Sequence, residues 1–95
     1  MRVLLIAAAL FAAAPAVAGA PNGSSLTLQS PAASSRVIID GAAWRCEAQA
    51  CVASGGTEQP AARACRRVVA RLGKVSAFTW KGEALSADQL AACNA

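Results

Sequence analysis

The sequence contains no histidine, and its one methionine is the initiator. Without histidine, the chain lacks the histidine-assisted serine and cysteine nucleophiles of common hydrolases, and a copper site loses its usual imidazole and thioether ligands. The five acidic residues are scattered, so no carboxylate pair for glycoside hydrolysis is indicated. Nucleophile-elbow, phosphate-loop and dinucleotide-binding motifs are also missing. These absences predict a protein that is not an enzyme and needs no cofactor.

The four cysteines lack the spacing of a metal or redox site. The gaps between Cys46, Cys51, Cys65 and Cys93 are four, thirteen and twenty-seven residues. A zinc site uses two close pairs of ligands, and thiol oxidoreductases use Cys-x-x-Cys. Four cysteines in a short chain that begins like an exported protein instead predict a structural disulfide framework and no metal site.

The N-terminus has the features of a secretory signal peptide. Arg2 provides the positive charge, residues 3–14 form an apolar run too short to cross a bilayer, and Ala16-Val17-Ala18 suits signal peptidase. We therefore predict a signal peptide over residues 1–18. The mature chain is expected to be periplasmic or secreted and to have no transmembrane anchor.

Two regions are predicted after the signal peptide. Residues 19–35 are rich in Pro, Gly, Ser and Ala, which indicates a flexible tail whose one element is a short edge strand at 26–28. Residues 36–95 are predicted to form a single disulfide-stapled α+β domain. A core of this size is marginal, so the disulfides are expected to supply much of its stability.

Two hairpins are predicted at the start of this domain. The β-branched run Arg36-Val37-Ile38-Ile39 precedes Asp40-Gly41, a turn signal, so a strand over about 43–46 should return antiparallel to it. The four residues between Cys46 and Cys51 fit the loop of a second hairpin, which would place these two cysteines opposite each other. Alternation puts Trp44 on the same face as Cys46.

The second half of the domain predicts a helix, a strand and a helix. Thr57 is expected to cap the first helix and Gly73 to end it, and its apolar stripe has helical spacing. Residues 74–80 alternate as a strand, with Ser76, Phe78 and Trp80 on one face and Val75, Ala77 and Thr79 on the other. A second helix over about 87–94 is signalled by a capping box, Ser86 with Gln89. The predicted order is β-β-β-β-α-β-α.

Four cysteines allow three disulfide pairings, and the sequence alone does not choose among them. We favour Cys46–Cys51 across the hairpin, because it leaves Cys65 to join Cys93 and link the two helices through their apolar faces. We interpret the large aromatic side chains as core rather than as a platform for sugars, since a small domain needs them inside. These are Trp44, Phe78 and Trp80.

An arginine-rich helix face is the best candidate binding surface. Arg63, Arg67 and Arg71 are spaced four residues apart and lie opposite the apolar stripe, beside Arg66. No acidic residue occurs between Gln59 and Lys81. Guanidinium groups bind phosphates and carboxylates, so the candidate partners are an anionic envelope component, such as lipopolysaccharide or anionic lipid, or an acidic envelope protein. The overall charge of +4 is too small to indicate nucleic-acid binding. The alternative interpretation is a solvated helix face without a partner.

Several short motifs resemble those of an uncharacterised family of small exported four-cysteine proteins of Gram-negative bacteria. They cover about residues 36–94: Gly41-Ala42-Ala43-Trp44-Arg45-Cys46, Cys51, Gln59-Pro60, Cys65, Gly73-Lys74-Val75, Phe78, Gly82, Leu85 and Cys93-Asn94. The resemblance implies export and one compact domain, and it supplies no catalytic residue.

Two functional hypotheses follow. The first is a structural or binding module of the cell envelope. The second is an accessory redox or enzyme-inhibiting protein that acts through Cys46 and Cys51 or through the loop between them.

Overall fold

A computed structural model describes residues 23–95 of the chain. The predicted signal peptide, residues 1–18, and the first residues of the predicted tail lie outside the described part. The described residues form one antiparallel sheet and two helices, in the order β1(Ser24–Leu28), β2(Arg36–Ile39), β3(Ala42–Glu47), β4(Ala50–Gly55), α1(Ala61–Leu72), β5(Val75–Trp80), β6(Glu83–Ala84), α2(Ala87–Asn94). The α+β fold class is therefore confirmed, with one more strand, β6, than the sequence predicted.

Strand β1 lies in the middle of the sheet, whose order is β2-β3-β4-β1-β5-β6. The prediction of an edge strand within a loose tail is therefore wrong for residues 24–28. Leu26 pairs with Cys51 on one side and with Phe78 on the other. Both partners are distant in sequence, so nothing next to β1 reveals that it has two neighbours. The sheet thus includes residues that the predicted domain, 36–95, leaves out.

Both predicted hairpins are present, although the second turns over two residues, 48–49, rather than the expected four, because Glu47 and Ala50 also pair. Asp40 and Gly41 connect β2 to β3 with φ of 50° and 82°, the positive values of a two-residue hairpin turn. Strands β3 and β4 pair with Cys46 opposite Cys51, and these two residues form a disulfide. Alternation along β3 buries Ala42, Trp44 and Cys46 and exposes the residues between them.

The faces predicted for β5 are wrong at its first two residues. Thr27 pairs with Ala77 but Leu28 pairs with Val75, so β5 has one extra residue, Ser76, opposite β1. This bulge resets the alternation. Val75 is therefore buried on the same face as Phe78 and Trp80, whereas Ser76 is exposed.

The helices are as expected apart from the start of α1. Pro60, not Thr57, is the N-cap of α1, because the Thr57 hydroxyl donates to the carbonyl oxygen of Asp40 instead. Gly73 ends α1 with a φ of 107°. At α2, the Ser86 and Gln89 side chains form the predicted reciprocal capping box.

The core lies between one face of the sheet and the two helices. The second disulfide joins Cys65 of α1 to Cys93 of α2, which confirms the favoured pairing. At the end of α2, the Asn94 side chain accepts from the Val75 N–H and donates to its carbonyl oxygen, so helix and sheet are joined twice. The core includes all three aromatic side chains interpreted as core: Trp44, Phe78 and Trp80.

Candidate anion-binding groove

The predicted arginine face of α1 is exposed. Arg63, Arg66, Arg67 and Arg71 are all accessible to solvent, while the opposite side of the helix buries Ala61, Ala64, Cys65 and Val68. This separation follows from the helical spacing of the apolar residues. The arginines do not all have the same surroundings, because one end of the β2–β3 hairpin lies against α1.

Arg67 is held by an acidic residue that is distant in sequence. Its Nε and one terminal nitrogen donate to the two carboxylate oxygens of Asp40, at 3.1 and 3.0 Å. Gln59 donates to the same carboxylate. The hydrogen bonds from Arg67, then the one from Gln59, hold the pKa of Asp40 below its ordinary value. Arg67 is thus already engaged by a carboxylate within the protein.

The same Asp40 fixes the hairpin turn to the segment that precedes α1. Its carbonyl oxygen accepts from both the backbone N–H and the hydroxyl of Thr57, at 2.9 and 3.0 Å. The Asp40 side chain is 19% exposed and that of Arg67 58%, so the carboxylate is the more shielded partner of the ion pair. These bonds tie strand β2 to helix α1 and fix the spacing between them.

A groove of about 420 Å³ lies between β2 and α1. Residues from the end of the β2–β3 hairpin line one side, and arginines from α1 line the other. The lining residues are Ile38, Ile39, Asp40, Arg66, Arg67, Ala70 and Arg71. Two of the three predicted site residues, Arg67 and Arg71, therefore meet here, whereas Arg63 is not part of the lining.

Arg66 is the residue of the groove that the four-residue spacing did not select. Arg66 and Ala70 are four residues apart, as are Arg67 and Arg71, so these four residues lie on one side of α1. This spacing is visible in the sequence. The position of Asp40 beside Arg67 is not, since it depends on how the hairpin docks.

Two ion pairs form among residues 23–95, Arg67 with Asp40 and Lys81 with Glu58. Arg66 and Arg71 are in neither pair, so their charges face solvent at the groove. Lys81 donates to the Gly56 carbonyl oxygen as well as to Glu58. The Lys81 charge is therefore engaged within the protein and is not part of the groove.

The Cys46–Cys51 disulfide is poorly placed for exchange with a partner thiol. Cys46 is 6% exposed and Cys51 1%, whereas thiol exchange requires access to a sulfur atom. The cysteines of the described residues are all in disulfides. The redox hypothesis gains no geometric support from this arrangement.

Residues 23–95 offer neither a metal-ligand cluster nor a membrane-spanning helix. No group of three or more histidine, cysteine or acidic side chains comes together in residues 23–95 to hold a metal ion. Within the same range, neither helix is long and apolar enough to span a bilayer.

Comparison with known proteins gives one match. No curated protein sequence and no solved structure shows significant similarity to the chain. A family model described as a family of unknown function, DUF8200, matches residues 5–95, which is nearly the whole chain. This agrees with the resemblance to an uncharacterised four-cysteine family. The chain therefore belongs to the DUF8200 family of unknown function.

Proposed function

We propose that this protein is an exported, non-enzymatic binding module that holds an anionic partner in the groove between β2 and α1. Export is supported by the two disulfides, because such bonds persist in oxidising compartments, and by the signal-peptide features of residues 1–18. The lack of histidine supports a role in binding rather than catalysis.

The proposal rests on two exposed arginines, Arg66 and Arg71, at a groove that is also lined by apolar residues. Ion pairing within residues 23–95 does not neutralise either charge. Guanidinium groups present several donors in a fixed plane and bind carboxylates and phosphates with two hydrogen bonds. Ala70 adds apolar surface on the helix side, and Ile38 lies at the strand edge of the groove. Such a site suits a ligand with anionic groups on an apolar or extended frame.

The Asp40–Arg67 pair contributes rigidity rather than binding charge. It holds the hairpin turn against α1, so the two sides of the groove keep their distance when no ligand is bound. A preformed groove reduces the entropy that binding must overcome.

The binding proposal is tested with a matched pair of variants. Arg66→Gln/Arg71→Gln removes two charges from the groove, and Arg45→Gln/Lys74→Gln removes two exposed charges that do not line it. Binding of the oxidised chain to polyglutamate and to vesicles containing phosphatidylglycerol is measured at low ionic strength, where charge attraction is strongest.

We expect the groove variant to bind at least one of these probes about tenfold more weakly than the unaltered protein, and the control about twofold more weakly. Equal losses in both variants would show that only net charge matters. No binding of the unaltered protein to either probe would overturn the proposal.

Export is tested separately with a reporter. Residues 1–18 are fused to an alkaline phosphatase whose activity requires disulfides formed outside the cytoplasm. Activity in intact cells, lost when Leu5→Asp/Leu10→Asp interrupts the apolar run that drives export, is the expected result. An inactive fusion would contradict export.

A further inference from the structure

Strand β2 is one edge of the sheet and borders the groove. The turn at Asp40-Gly41 has two residues, so Ile39 and Ala42 on either side of it form a hydrogen-bonded pair. Hydrogen-bonded pairs alternate along an antiparallel ladder with pairs whose N–H and C=O groups point away from each other, and Ile38 with Ala43 is such a pair. The Cys46 N–H donates to the Ser35 carbonyl oxygen, as this alternation requires. The N–H and C=O groups of Ile38 therefore point away from β3, toward the free edge.

These edge groups are available to another chain. Within residues 23–95, no backbone or side-chain hydrogen bond reaches the outward N–H or C=O of Ile38, whereas the Arg36 carbonyl oxygen already accepts from the Ser34 hydroxyl. Strand β2 contains no proline and pairs with β3 without a bulge, so two common protections of an edge are missing. Ile38 is also the large apolar side chain left exposed in the described residues, at 68%.

Charge determines which chain can use this edge. Arg36 lies on β2 itself, and Arg66 and Arg71 line the adjoining groove. Pairing of β2 with β2 of a second copy would bring these positive charges together, which disfavours self-association. A segment with acidic side chains gains favourable contacts at the same positions.

We propose that the occupant of the groove is an extended acidic segment of another polypeptide, which adds to β2 as a seventh strand. This deepens the proposed function and rests on it. In such a segment, alternate side chains face opposite sides of the sheet. Acidic residues on the helix side contact Arg66 and Arg71, and apolar residues on the other side lie beside Ile38. Backbone hydrogen bonds to Ile38 supply the binding that a lipid surface cannot reproduce.

The experiment compares two peptides with the oxidised chain at low ionic strength. The first is a labelled peptide of about eight residues that alternates glutamate with valine, long enough to cover a strand of this length. The second has the same sequence and charge but carries N-methyl groups on every other backbone nitrogen. It is made in two forms, one methylated at the odd-numbered and one at the even-numbered residues, so that one form lacks the N–H groups that would donate to the edge strand. We expect the N-methylated forms that block the edge-facing amides to bind about tenfold more weakly.

Variants at Ile38 test the same contact from the protein side. Ile38→Pro removes an N–H that β3 does not use, a change that edge strands tolerate. Ile38→Thr keeps the N–H and removes the apolar contact. The proline variant should lose about tenfold in peptide affinity and the threonine variant about threefold. If the proline variant does not fold, the N-methylated peptides provide the same test.

The outcomes separate the two proposals. Equal binding of methylated and unmethylated peptides, or binding to phosphatidylglycerol vesicles but not to the peptide, overturns strand addition and leaves the anion-binding groove in place. Dimerisation of the chain alone that Ile38→Pro abolishes also overturns strand addition by a foreign segment. Failure to bind peptide, polyglutamate and vesicles overturns both proposals.

Discussion

Removal of the two disulfides one at a time should cost unequal amounts of stability. The double variants are Cys65→Ala/Cys93→Ala and Cys46→Ala/Cys51→Ala. Each variant removes two sulfur atoms from the core, so the loss of packing is similar. The loops that the disulfides close differ in length, because Cys65 and Cys93 are 28 residues apart and Cys46 and Cys51 only 5. In the chain-entropy model these loops correspond to about 3.6 and about 2.1 kcal/mol at room temperature.

The expected difference of about 1.5 kcal/mol changes the unfolding equilibrium about tenfold and the melting temperature by about 6–12 °C for a domain of this size. The assay is urea denaturation at neutral pH, followed by tryptophan fluorescence. Trp44 and Trp80 are buried, so both report unfolding. The free energy of unfolding should fall in the order unaltered, Cys46→Ala/Cys51→Ala, Cys65→Ala/Cys93→Ala. Equal losses, or the reverse order, would refute the reasoning from loop length.

Two further predictions concern the segments that support the groove. Gly56→Ala should destabilise the fold by about 1–3 kcal/mol in urea titrations, because an added Cβ would lie 2.6 Å from the Trp80 ring. Gly73→Ala has a similar positive φ with no atom within 4 Å, so it should cost less, and an equal cost would argue against the clash. Arg67 keeps the pKa of Asp40 below its ordinary value of 3.8. The ion pair therefore stabilises the fold fully above about pH 3.8, and this stabilisation is lost as the pH falls through the lowered pKa. The stability advantage of the unaltered chain over Asp40→Asn should therefore shrink on acidification, and an advantage that is independent of pH would contradict the role of the charged carboxylate.

Features that depend on neighbouring residues were predictable from the sequence. The Asp40-Gly41 turn, the capping box of α2 and the end of α1 at Gly73 each follow from local backbone preferences. The disulfide pairing that was favoured among three possibilities is also confirmed, and it was favoured because the predicted hairpin sets Cys46 opposite Cys51 and leaves Cys65 to Cys93.

Features that depend on long-range pairing were not predictable. Strand β1 has a short alternation in a region of Pro, Gly and Ser, and its place at the centre of the sheet comes from β4 and β5. The extra residue in β5 has no local signal either, since a bulge is defined only relative to its partner strand.

The candidate site shows the same division. Helical spacing placed the arginines on one exposed face of α1, including Arg67 and Arg71. No acidic residue lies between residues 59 and 81, yet Asp40 reaches Arg67 through the docking of the hairpin. That contact leaves Arg66 and Arg71 as the unpaired arginines among the residues that line the groove. Which arginines are free was therefore decided by tertiary structure.

Nuclear magnetic resonance titration of the isotope-labelled, oxidised chain with the glutamate–valine peptide tests whether an acidic strand adds to β2 beside the groove. We expect the largest amide shifts in β2 and along the groove side of α1. The Ile38 amide should also become protected from hydrogen exchange as it donates to the added strand. Shifts centred on the open face of the sheet, around Arg45 and Val52, would contradict this expectation, as would an Ile38 amide that exchanges equally fast with and without bound peptide.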